Sequence, residues 1–516
     1  MSPSPGTGDR RRLLIFIVAY KAESHIEDVL RRIPPSLDAW DTEVLVVDDA
    51  SDDATFERGH RLERSGELPF PVTVLYNPEN QGYGGNQKIG FQYAIEHGFD
   101  AVALLHGDGQ YAPELLPELV EPILDGRADA VFGSRMMERF RALRGGMPAY
   151  KYLGNRILTG FQNTLLGTSL SEFHSGYRIY SVKALARLPF HLNTPDFHFD
   201  TEIIIQLHFA EMRILELPIP TYYGDEICRV NGLRYAWDVV TTTLLARAQR
   251  YDLFYRRNLD VELDQPVKYA AKLHYVSPAS LAFERIGLGE RVVDIGSAGG
   301  ELADALIEQK GCTLTCIDQH VPDSSETSAT EFVQCDLDVE ELPISLDDRD
   351  TVLMLDVIEH LRSPEAFVAQ LHRLSAANRD IRFIVSSGNA VFFITRAMML
   401  LGQLNYAKRG ILDMTHSRLF TFRSLIRLFE QGGFQVETVV GVPAPFPLAL
   451  GDGKLSRFLL RMNHWLIKLS RGLFAYQSFL VLRPLPRLES LLDRARIASS
   501  ARSEELDRES ARVAST

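Results

Sequence analysis

The chain has 516 residues, of which 45% are hydrophobic and 24% charged, and its formal net charge at pH 7 is −13. This length predicts about two to four domains, and the composition excludes a wholly disordered, collagen-like or coiled-coil chain. The acidic balance argues against nucleic acid as a partner, because binding to a phosphate backbone requires a basic face. Four cysteines in so long a chain favour a reducing compartment over a disulfide framework.

The first apolar run, residues 13–20, is followed at once by Lys21 and Glu23, and it is too short for a signal peptide. No stretch reaches the ~18–20 uninterrupted apolar residues that span a membrane. We therefore expect a cytoplasmic protein. A peripheral contact with the inner face of a membrane is left open.

The first half of the chain alternates buried strands with helices. Apolar runs ended by polar residues or proline predict strands, and apolar residues at helical spacing predict helices. In chain order the predicted elements are a strand at 13–20, a helix at 24–34, strands at 42–51 and 71–78, a helix at 87–98 and a strand at 101–110. This alternation predicts an α/β domain with a doubly wound, mostly parallel sheet, in which ligands bind at the carboxyl ends of the strands.

A second alternation begins near residue 268 and predicts a second doubly wound α/β domain. Its predicted elements are a strand with a glycine-rich turn at 290–300, a helix at 301–311 and strands at 312–320, 331–338, 350–360 and 381–388. Pro266, after a charged stretch, marks the boundary between the two. We predict domains at 10–258 and 268–485. The tail, 486–516, has few large apolar residues and is expected to be disordered or a frayed helix.

Acidic residues follow the second predicted strand. Asp48, Asp49 and Asp52 lie at and just past its end, where short carboxylates accept hydrogen bonds from ribose hydroxyls and base N–H groups. The alternative is a helix N-cap with solvated acids. A turn rich in glycine and asparagine at 77–90 would let a ligand approach the backbone, with phosphate favoured at the start of the following helix.

The strand at 101–110 ends in Asp108 and Gln110, whose side chains are expected in the same crevice. A hard divalent cation takes one or two carboxylate or amide oxygens together with diphosphate oxygens. Bridging a diphosphate, it would neutralise charge on a leaving nucleotide. The three motifs together predict a site for Mg²⁺ or Mn²⁺ and a nucleoside diphosphate sugar.

Further motifs, FGSRM at 132–136, HSGYRIYS at 174–181 and FHFDTEII at 197–204, complete a resemblance. Residues 10–255 resemble inverting family 2 glycosyltransferases of the GT-A fold, in particular the polyprenyl-phosphate sugar transferases. The resemblance implies roles for seven residues. They are Asp49 and Asp52 at the nucleoside, a catalytic metal at Asp108 and Gln110, Arg135 and Arg178 at phosphate, and Glu202 beside the acceptor.

One position departs from this resemblance. The acidic triplet of the family usually begins with Asp, whereas this chain has His106. Histidine suits Mn²⁺ but is a poor ligand for Mg²⁺. His106 is therefore expected either to ligate Mn²⁺ or to leave coordination to Asp108 and Gln110.

The acceptor decides whether the first domain needs a base. A sugar hydroxyl needs one, and Asp200 or Glu202 could supply it, although Asp200 would alternatively cap the following helix. A polyprenyl monophosphate is already anionic and needs none. Arg229 and Arg234 suit a phosphate acceptor or else belong to a solvated loop. The aromatic and apolar helix predicted at 235–257 suits an anionic membrane surface or packing against the other domain.

In the second half, residues 294–300 form a D-x-G-x-A-x-G turn with Asp294, Gly296 and Gly300. The turn lets the backbone approach a ligand, and Asp294 can accept a hydrogen bond from a ligand ammonium. The dinucleotide pattern G-x-G-x-x-G is missing, which argues against NAD. Asp318, at the end of the next strand, is placed to bind both ribose hydroxyls, and Asp336 could accept from an adenine amine.

Residues 268–485 resemble class I S-adenosylmethionine-dependent methyltransferases. The match includes D-V-I-E-H-L at 356–361 and the segment at 416–434. It implies Asp294, Gly296, Gly300, Asp318 and Asp336 at the cofactor, with Asp356 close to it. Transfer to a hydroxyl needs a base, for which His360 and His416 are candidates, and the alternative for each is a structural histidine.

We interpret the chain as a bifunctional transferase. It would transfer a sugar from a nucleoside diphosphate sugar to a polyprenyl-phosphate, glycan or other small acceptor, and methylate a hydroxyl with S-adenosylmethionine. The fusion suggests that one domain methylates the product of the other. In the alternatives, only one domain is catalytic and the other binds a ligand or acts as a scaffold, or the second sheet is an oxidoreductase. Apolar stripes at 392–404 and 454–482 are expected to pack in the core or in a lid over a substrate, with a membrane contact as the alternative.

Overall fold

The computed structural model describes residues 10–138, 140–222, 231–251, 255–261, 273, 275–297, 301–319, 329–451, 453–488, 491–492, 495–500 and 502. Two compact units divide the chain, Met1–Pro266 and Val267–Thr516. Within the described residues, no helix has both the length and the apolar character needed to cross a membrane. Of the predicted tail, residues 495–500 are helical, and 503–516 lie outside the described part of the chain.

The described strands of the first unit form one sheet in the order β3-β2-β1-β4-β6-β5-β7. They are β1 (Arg12–Ala19), β2 (Asp41–Asp48), β3 (Val72–Tyr76), β4 (Ala101–His106), β5 (Ala130–Ser134), β6 (Arg178–Ser181) and β7 (Ile214–Pro218). Only β6 runs antiparallel to its neighbours among these strands. The sheet is therefore mostly parallel.

Helices cover both faces of this sheet. They are α1 (Ile26–Arg31), α2 (Thr55–Ser65), α3 (Tyr83–Glu96), α4 (Leu116–Leu124), α5 (Arg141–Arg144), α6 (Ala149–Leu166), α7 (Val182–Leu185), α8 (Phe199–Phe209) and α9 (Gly232–Gln249). Alternate residues of β1 enter different cores, Ile15 and Ile17 on one face and Leu14 and Phe16 on the other. Burial on both faces explains why this strand is a continuous apolar run rather than an alternating one.

The second unit repeats the arrangement in the order β10-β9-β8-β11-β12-β14-β13. Its strands are β8 (Arg291–Ile295), β9 (Thr313–Asp318), β10 (Glu331–Gln334), β11 (Thr351–Leu355), β12 (Arg382–Gly388), β13 (Phe434–Val442) and β14 (Gln477–Pro484). Its helices are α10 (Pro278–Arg285), α11 (Glu301–Lys310), α12 (Pro364–Leu374), α13 (Phe393–Leu400), α14 (Phe422–Gln431), α15 (Phe446–Leu450), α16 (Lys454–Leu469) and α17 (Arg471–Phe474). β14 is antiparallel to both neighbours.

The predicted class, two doubly wound α/β units with mostly parallel sheets, is confirmed. In each sheet the strand order reverses beside the first strand, between β1 and β4 and between β8 and β11. Ligands bind at the carboxyl ends of strands at such switch points. The fold thus places one candidate crevice in each unit.

The start of α3 differs from the prediction. The helix begins at Tyr83 rather than near residue 87, so that Gly84 and Gly85 lie in its first turn. The N–H groups of both glycines donate to the carbonyl oxygen of Pro195, at 2.7 and 3.3 Å. The expectation of phosphate at this helix start is wrong, because these donors already have a protein partner.

Candidate functional sites in the two units

The first crevice lies beside the ends of β1 and β2, where the backbone is strained. Lys21 and Ala50 follow these strands and have positive φ angles of 52° and 56°. The N–H of Lys21 donates to Ser51 Oγ at 2.8 Å, and its ammonium lies 2.8 Å from Asp52 Oδ2. Non-glycine residues held at positive φ cluster at functional sites. This geometry agrees with a ligand site at this edge of the sheet.

Asp49 ties the glycine-rich turn to the end of β2. Its Oδ1 accepts hydrogen bonds from Asn77 Nδ2 and the Gln81 N–H, both at 2.8 Å, and its Oδ2 accepts from the Gly82 N–H at 3.0 Å. The Asp49 side chain is buried, whereas that of Asp52 is 73% exposed. Asp49 therefore shapes the loop, and Asp52 reaches solvent.

Asp108 and Gln110 follow β4. Asp108 is exposed, and its Oδ1 accepts a hydrogen bond from the backbone N–H of half-buried Gln110 at 3.0 Å. A hard cation that takes further ligands from water and phosphate requires only one or two such protein oxygens. Among the described residues, no three His, Cys, Asp or Glu side chains are grouped to hold a metal.

His106, the last residue of β4, is enclosed by aromatic rings. Its Nε2 lies 3.3 Å from the hydroxyl oxygen of Tyr83, and the Tyr111 ring centroid lies 5.0 Å from its own. A Cβ added at Gly176 would lie 2.7 Å from the same Nε2. Burial lowers the pKa of His106, which keeps the imidazole neutral.

A buried network surrounds Asp200 on α8. Its Oδ2 accepts from the Tyr83 hydroxyl at 3.0 Å, and its Oδ1 accepts from Gln87 Nε2 at 3.2 Å. Arg178 Nη1 lies 3.6 Å from the same Oδ1. The guanidinium of Arg178 is buried and donates to three backbone carbonyls as well. The network therefore balances a buried anion with a buried cation.

Two more carboxylates of the first unit, Glu172 and Glu202, are paired with arginines. Both Nε and Nη2 of Arg135 donate to Glu172, and Glu172 Oε2 also accepts from the Arg135 N–H at 2.7 Å. Although burial raises the pKa of Glu172, the charge of Arg135 lowers it overall. Glu202 is fully buried, with Oε1 accepting from Arg256 Nη2 at 3.0 Å and Oε2 from the Thr194 N–H at 2.7 Å.

The second crevice begins at Asp294 on β8. Its side chain is buried, and burial followed by the charge of Asp318 raises its pKa to about 7. Gly296 follows with a φ of 74°, and a Cβ there would lie 2.4 Å from Val357 Cγ2. Its N–H donates to the carbonyl oxygen of Ile317 at 2.7 Å. Both the backbone angle and the space require glycine here.

The ends of β9 and β10 open onto a cavity of about 400 Å³. Asp318 is the last residue of β9, and Asp336 lies just beyond β10. The cavity is lined by Gln319, Gln334, Asp336 and Glu340. Amide and carboxylate groups of this kind can bind the polar edges of a nucleoside.

Two carboxyl groups lie past the end of β11. Asp356 has a positive φ of 57°, and its oxygens accept hydrogen bonds from Ser386 Oγ at 2.8 Å and Gln477 Nε2 at 2.6 Å. Glu359 is 2% exposed, and one of its oxygens accepts from the Gly388 N–H at 3.2 Å. Burial, followed by the charge of Asp356, raises the pKa of Glu359 to about 8. Glu359 is therefore mostly protonated at neutral pH.

Two histidines lie beside these carboxyl groups. His360 is exposed, and its Nδ1 lies 3.1 Å from Thr415 Oγ1, which donates to Asp413 Oδ1 at 2.7 Å. This contact assigns the proton to Nδ1 of His360 and leaves a lone pair on Nε2. The His416 ring centroid lies 4.7 Å away, and its Nδ1 lies 3.0 Å from the carbonyl oxygen of Ile411. Burial, followed by the nearby His360, lowers the pKa of His416.

Two family models match the chain, each lying mostly within one of the two units. Residues 14–188 match a family model described as glycosyl transferase family 2, and residues 255–439 match one described as a methyltransferase domain. This chain carries a family 2 glycosyltransferase domain and a methyltransferase domain.

Two relatives described as sugar transferases each cover less than half of this chain. An undecaprenyl-phosphate mannosyltransferase of Micrococcus luteus is 28% identical over 47% of this chain and 96% of its own length. A UDP-N-acetylglucosamine–dolichyl-phosphate N-acetylglucosaminyltransferase of Methanococcus voltae is 28% identical over 41% of this chain and 86% of its own length. The solved structure of glucosyl-3-phosphoglycerate synthase from Mycobacterium tuberculosis with UDP is 22% identical, covers 46% of this chain and 80% of its own, and has a TM-score of 0.35.

Several predictions for the glycosyltransferase domain need correction. Arg135 and Arg178 do not present free guanidinium groups to phosphate, because both are buried in ion pairs. Glu202 does not border an acceptor as a free base, since both its oxygens are engaged and its side chain has no exposed surface. Asp200 is occupied in its own network and does not cap α8, for which no side-chain cap forms. These residues stabilise the domain.

The geometry also bears on the metal and on two further residues. The enclosed Nε2 of His106 argues against direct ligation by that atom, and ligation by Asp108 and Gln110 stays a prediction. Arg229 and Gly300 lie outside the described residues. The other predicted residues lie at the strand ends that line the two crevices, and their roles stay predictions.

The sequence did not predict a role for two residues, Glu359 and Asp413. Glu359 stands within D-V-I-E-H-L, where it directly follows the apolar Val357 and Ile358, and this was the available signal for a buried carboxyl. Asp413 precedes Thr415 by two residues, a spacing typical of an Asx turn, and Oδ1 of Asp413 indeed accepts the Thr415 N–H at 2.8 Å. The contact with His360 joins segments 55 residues apart and had no local signal.

Proposed function

We propose that the glycosyltransferase domain transfers a sugar, with inversion, from a nucleoside diphosphate sugar to a polyprenyl phosphate. We propose further that the methyltransferase domain methylates a hydroxyl group with S-adenosylmethionine. One observation supports both halves: the two crevices occupy corresponding switch points, but in the first the buried Asp200 and Glu172 are paired with arginines, whereas in the second Asp294 and Glu359 have no basic partner among the described residues.

In the glycosyltransferase domain, Asp108 and Gln110 would hold a divalent cation. Such a cation would supply positive charge to the departing nucleoside diphosphate. Asp49 would keep the glycine-rich turn in place against the nucleoside, and Asp52 would contact it directly. The exposure of Asp108 and its link to the Gln110 backbone suit a ligand pair of this kind.

Asp200 and Glu202 both accept hydrogen bonds within the protein, and this supports a phosphate as the acceptor. A sugar hydroxyl would need a general base, and both carboxylates already accept hydrogen bonds from neighbouring groups of the protein. A phosphate monoester is already an anionic nucleophile at neutral pH, since its second pKa is about 6. The two relatives named above are described as acting on undecaprenyl phosphate and dolichyl phosphate, which belong to this chemical class.

In the methyltransferase domain, the positive charge of S-adenosylmethionine suits the acidic residues of the second crevice. The cofactor supplies the methyl group. Asp294 would accept a hydrogen bond from its ammonium, Asp318 would bind the ribose hydroxyls, and Asp336 would accept from the adenine amine beside the 400 Å³ cavity. Asp294 ionises fully once a cation lies beside it, because an opposite charge favours the charged form.

His360 would act as the base in methyl transfer. Its Nδ1–H donates to Thr415, which is itself held by Asp413, so Nε2 can accept the proton of an acceptor hydroxyl. His416, with its lowered pKa, is the alternative base. We expect His360→Gln to reduce methylation about 100-fold with unchanged cofactor affinity, and His416→Gln to have a smaller effect. Equal loss in the two variants would contradict this assignment.

The two activities are tested on the full chain with separate variants. Asp108→Ala should abolish sugar transfer from a panel of nucleotide sugars with Mg²⁺ or Mn²⁺, and it should leave binding of S-adenosylhomocysteine intact. Asp294→Ala should do the reverse. Asp28→Ala and Asp347→Ala, exposed acids of the same two units, are the matched controls. If wild-type protein binds only one of the two donors, the other domain is a binding module or scaffold.

A further inference from the structure

Helix α16 exposes most of one apolar face, although its Ile467 is buried. Five of its apolar residues recur every three or four positions and form this exposed face. They are Leu455, Phe458, Met462, Trp465 and Leu469, exposed by 61%, 62%, 43%, 64% and 70%. The prediction that residues 454–482 pack in a core or lid is therefore wrong for these residues of α16, although Phe479, Leu480 and Leu482 of β14 are buried.

Polar contacts hold the inner face of the same helix. Asn463 is buried, its Oδ1 accepts from the Ala444 N–H at 2.9 Å, and its Nδ2 donates to the Phe474 carbonyl at 2.9 Å. Ser456 is buried on that face as well. Such fixed contacts keep the apolar side of α16 facing outwards, contrary to the usual orientation of a surface helix.

Other exposed apolar side chains of the unit lie on α15, which packs against α16, and on α13 with its C-terminal turn. Together with those of α16 we call them the outer apolar face. The added residues are Phe393, Met399, Leu400, Leu401, Leu404 and Leu448. Leu400 and Leu401 are exposed by 88% and 78%. The start of α13 adjoins the region, since the rings of Phe393 and Phe474 lie 6.0 Å apart.

These segments are basic, whereas the chain as a whole is acidic. Residues 389–412, 438–451 and 453–478 contain no Asp or Glu, although the whole chain has a net charge of −13. Their basic residues are Arg396, Lys408, Arg409, Lys454, Arg457, Arg461, Lys468 and Arg471. A helix that combines Trp, Phe and Leu with Lys and Arg in this way is typical of one lying in an anionic membrane interface.

The outer apolar face is built on segments that border the second crevice. Gln477, shortly after α17, donates to Asp356 Oδ2 at 2.6 Å. Asn389, which leads from β12 into α13, donates through Nδ2 to the carbonyl of Ala475 at 2.8 Å. Gly388, at the end of β12, donates to Glu359. A surface bound here would adjoin the candidate methyl-transfer site.

We propose that the outer apolar face docks the methyltransferase domain on a bilayer containing anionic phospholipid, and that the methyl acceptor is a glycan carried on a lipid in that bilayer. The docking surface is inferred from the exposure of its apolar side chains and from the charge of its segments. The acceptor class rests on the proposed function. Insertion of the apolar side chains into the interface, together with the attraction of the basic residues to anionic lipid, would favour this contact.

The test uses the full chain and vesicles of phosphatidylcholine with or without phosphatidylglycerol. We expect sedimentation with the anionic vesicles, weakened by salt, and at least tenfold weaker binding for Phe458→Ser with Trp465→Ser. Leu288→Ser with Val339→Ser, exposed apolar residues elsewhere in the unit, should bind as the wild type does. Arg457→Glu with Arg461→Glu should also weaken binding, whereas Arg423→Glu with Arg427→Glu on α14 should not.

A second measurement follows the helix directly. The chain has three tryptophans, so in a Trp40→Phe, Trp237→Phe background the fluorescence reports Trp465, and its emission should shift to the blue on addition of anionic vesicles. The proposal is overturned if wild type does not bind, if no shift occurs, or if only Trp237→Ser on α9 weakens binding. It is also overturned if the Phe458/Trp465 variant converts a dimer into monomers, because a second copy then covers the face.

Methylation assays distinguish a failure of this proposal from a failure of the proposed function. The Phe458/Trp465 variant should retain binding of S-adenosylhomocysteine and methylation of a detached, soluble glycan, and lose at least tenfold in methylation of the lipid-linked form. Vesicle binding without methylation of either form would contradict the proposed function and leave the docking surface intact. Equal methylation of both forms by the variant would contradict the acceptor class.

Discussion

The two crevices lie at the same point of sheets with closely related strand order, yet they neutralise buried charge in opposite ways. In the glycosyltransferase domain, Arg178 and Arg135 are paired with Asp200 and Glu172. In the methyltransferase domain, burial raises the pKa of Asp294 to about 7 and that of Glu359 to about 8, and neither forms an ion pair among the described residues. In the first crevice these two acids are balanced by arginines, whereas in the second Asp294 and Glu359 leave a place for a cationic ligand.

This difference predicts the largest effect in the first crevice. Arg178→Met would leave Asp200 buried without its cation, and removing one partner of a buried pair destabilises by about 3–5 kcal/mol. Urea unfolding, with hydrogen exchange of peptides from β6 and α8 to assign the transition, measures the loss. Adding Asp200→Asn should recover part of it.

The matched control is Arg213→Met, which removes an exposed guanidinium paired with Asp129. Exposed pairs contribute little to stability, so this variant should unfold almost as the wild type does. If Arg178→Met were equally harmless, the first crevice would not depend on internal charge balance, and Arg178 would be available to phosphate after all.

In the second crevice, the corresponding change should act on ligand binding. Asp294→Asn should weaken S-adenosylmethionine binding at pH 8 by about tenfold to a hundredfold, since a hydrogen bond between charged groups contributes about 1.5–3 kcal/mol. Calorimetric titration measures this, with Asp347→Asn as the exposed control. An unchanged affinity would show that the ligand ammonium does not contact Asp294.

Cofactor affinity should also depend on pH through Asp294. Because its pKa is raised to about 7 in the free protein, the ligand must bind a carboxyl group that is protonated at lower pH. Binding should weaken by about tenfold for each pH unit below 7, and it should be flat between pH 6 and 7.5 in Asp294→Asn. The same slope in both proteins would assign the pH dependence to another group.

The sequence was sufficient for much of both crevices, because the relevant signals are local. Asp294 and Asp318 end buried apolar runs, and Asp108 closely follows another, so strand periodicity alone places them at one sheet edge. The same reasoning failed for Arg135 and Arg178. Their partners, Glu172 and Asp200, are 37 and 22 residues away, and nothing in a local pattern distinguishes an arginine paired in the interior from one that binds phosphate.

The apolar stripe of α16 illustrates another limit. Helical periodicity predicts that Phe458 and Trp465 share a face, and the structure places both on the exposed side. Periodicity does not indicate which side of the helix the rest of the fold covers. That choice depends on Asn463, whose buried amide bonds to Ala444 and Phe474 are tertiary contacts.

The smallest expected effect concerns Glu359. Because its pKa is raised from 4.5 to about 8 on folding, its contribution to stability is complete below pH 4.5 and is lost as the pH rises through 8. Glu359→Gln, which keeps a neutral group of similar shape, should flatten this decline. At pH 9 it should be more stable than the wild type, since no charge need be buried. Urea unfolding at pH 6, 7.5 and 9, with Glu365→Gln as the exposed control, measures the difference. A variant less stable at pH 9 would mean that a cation or hydrogen-bond network stabilises the Glu359 carboxylate, and the contrast between the two crevices would then not extend beyond Asp294.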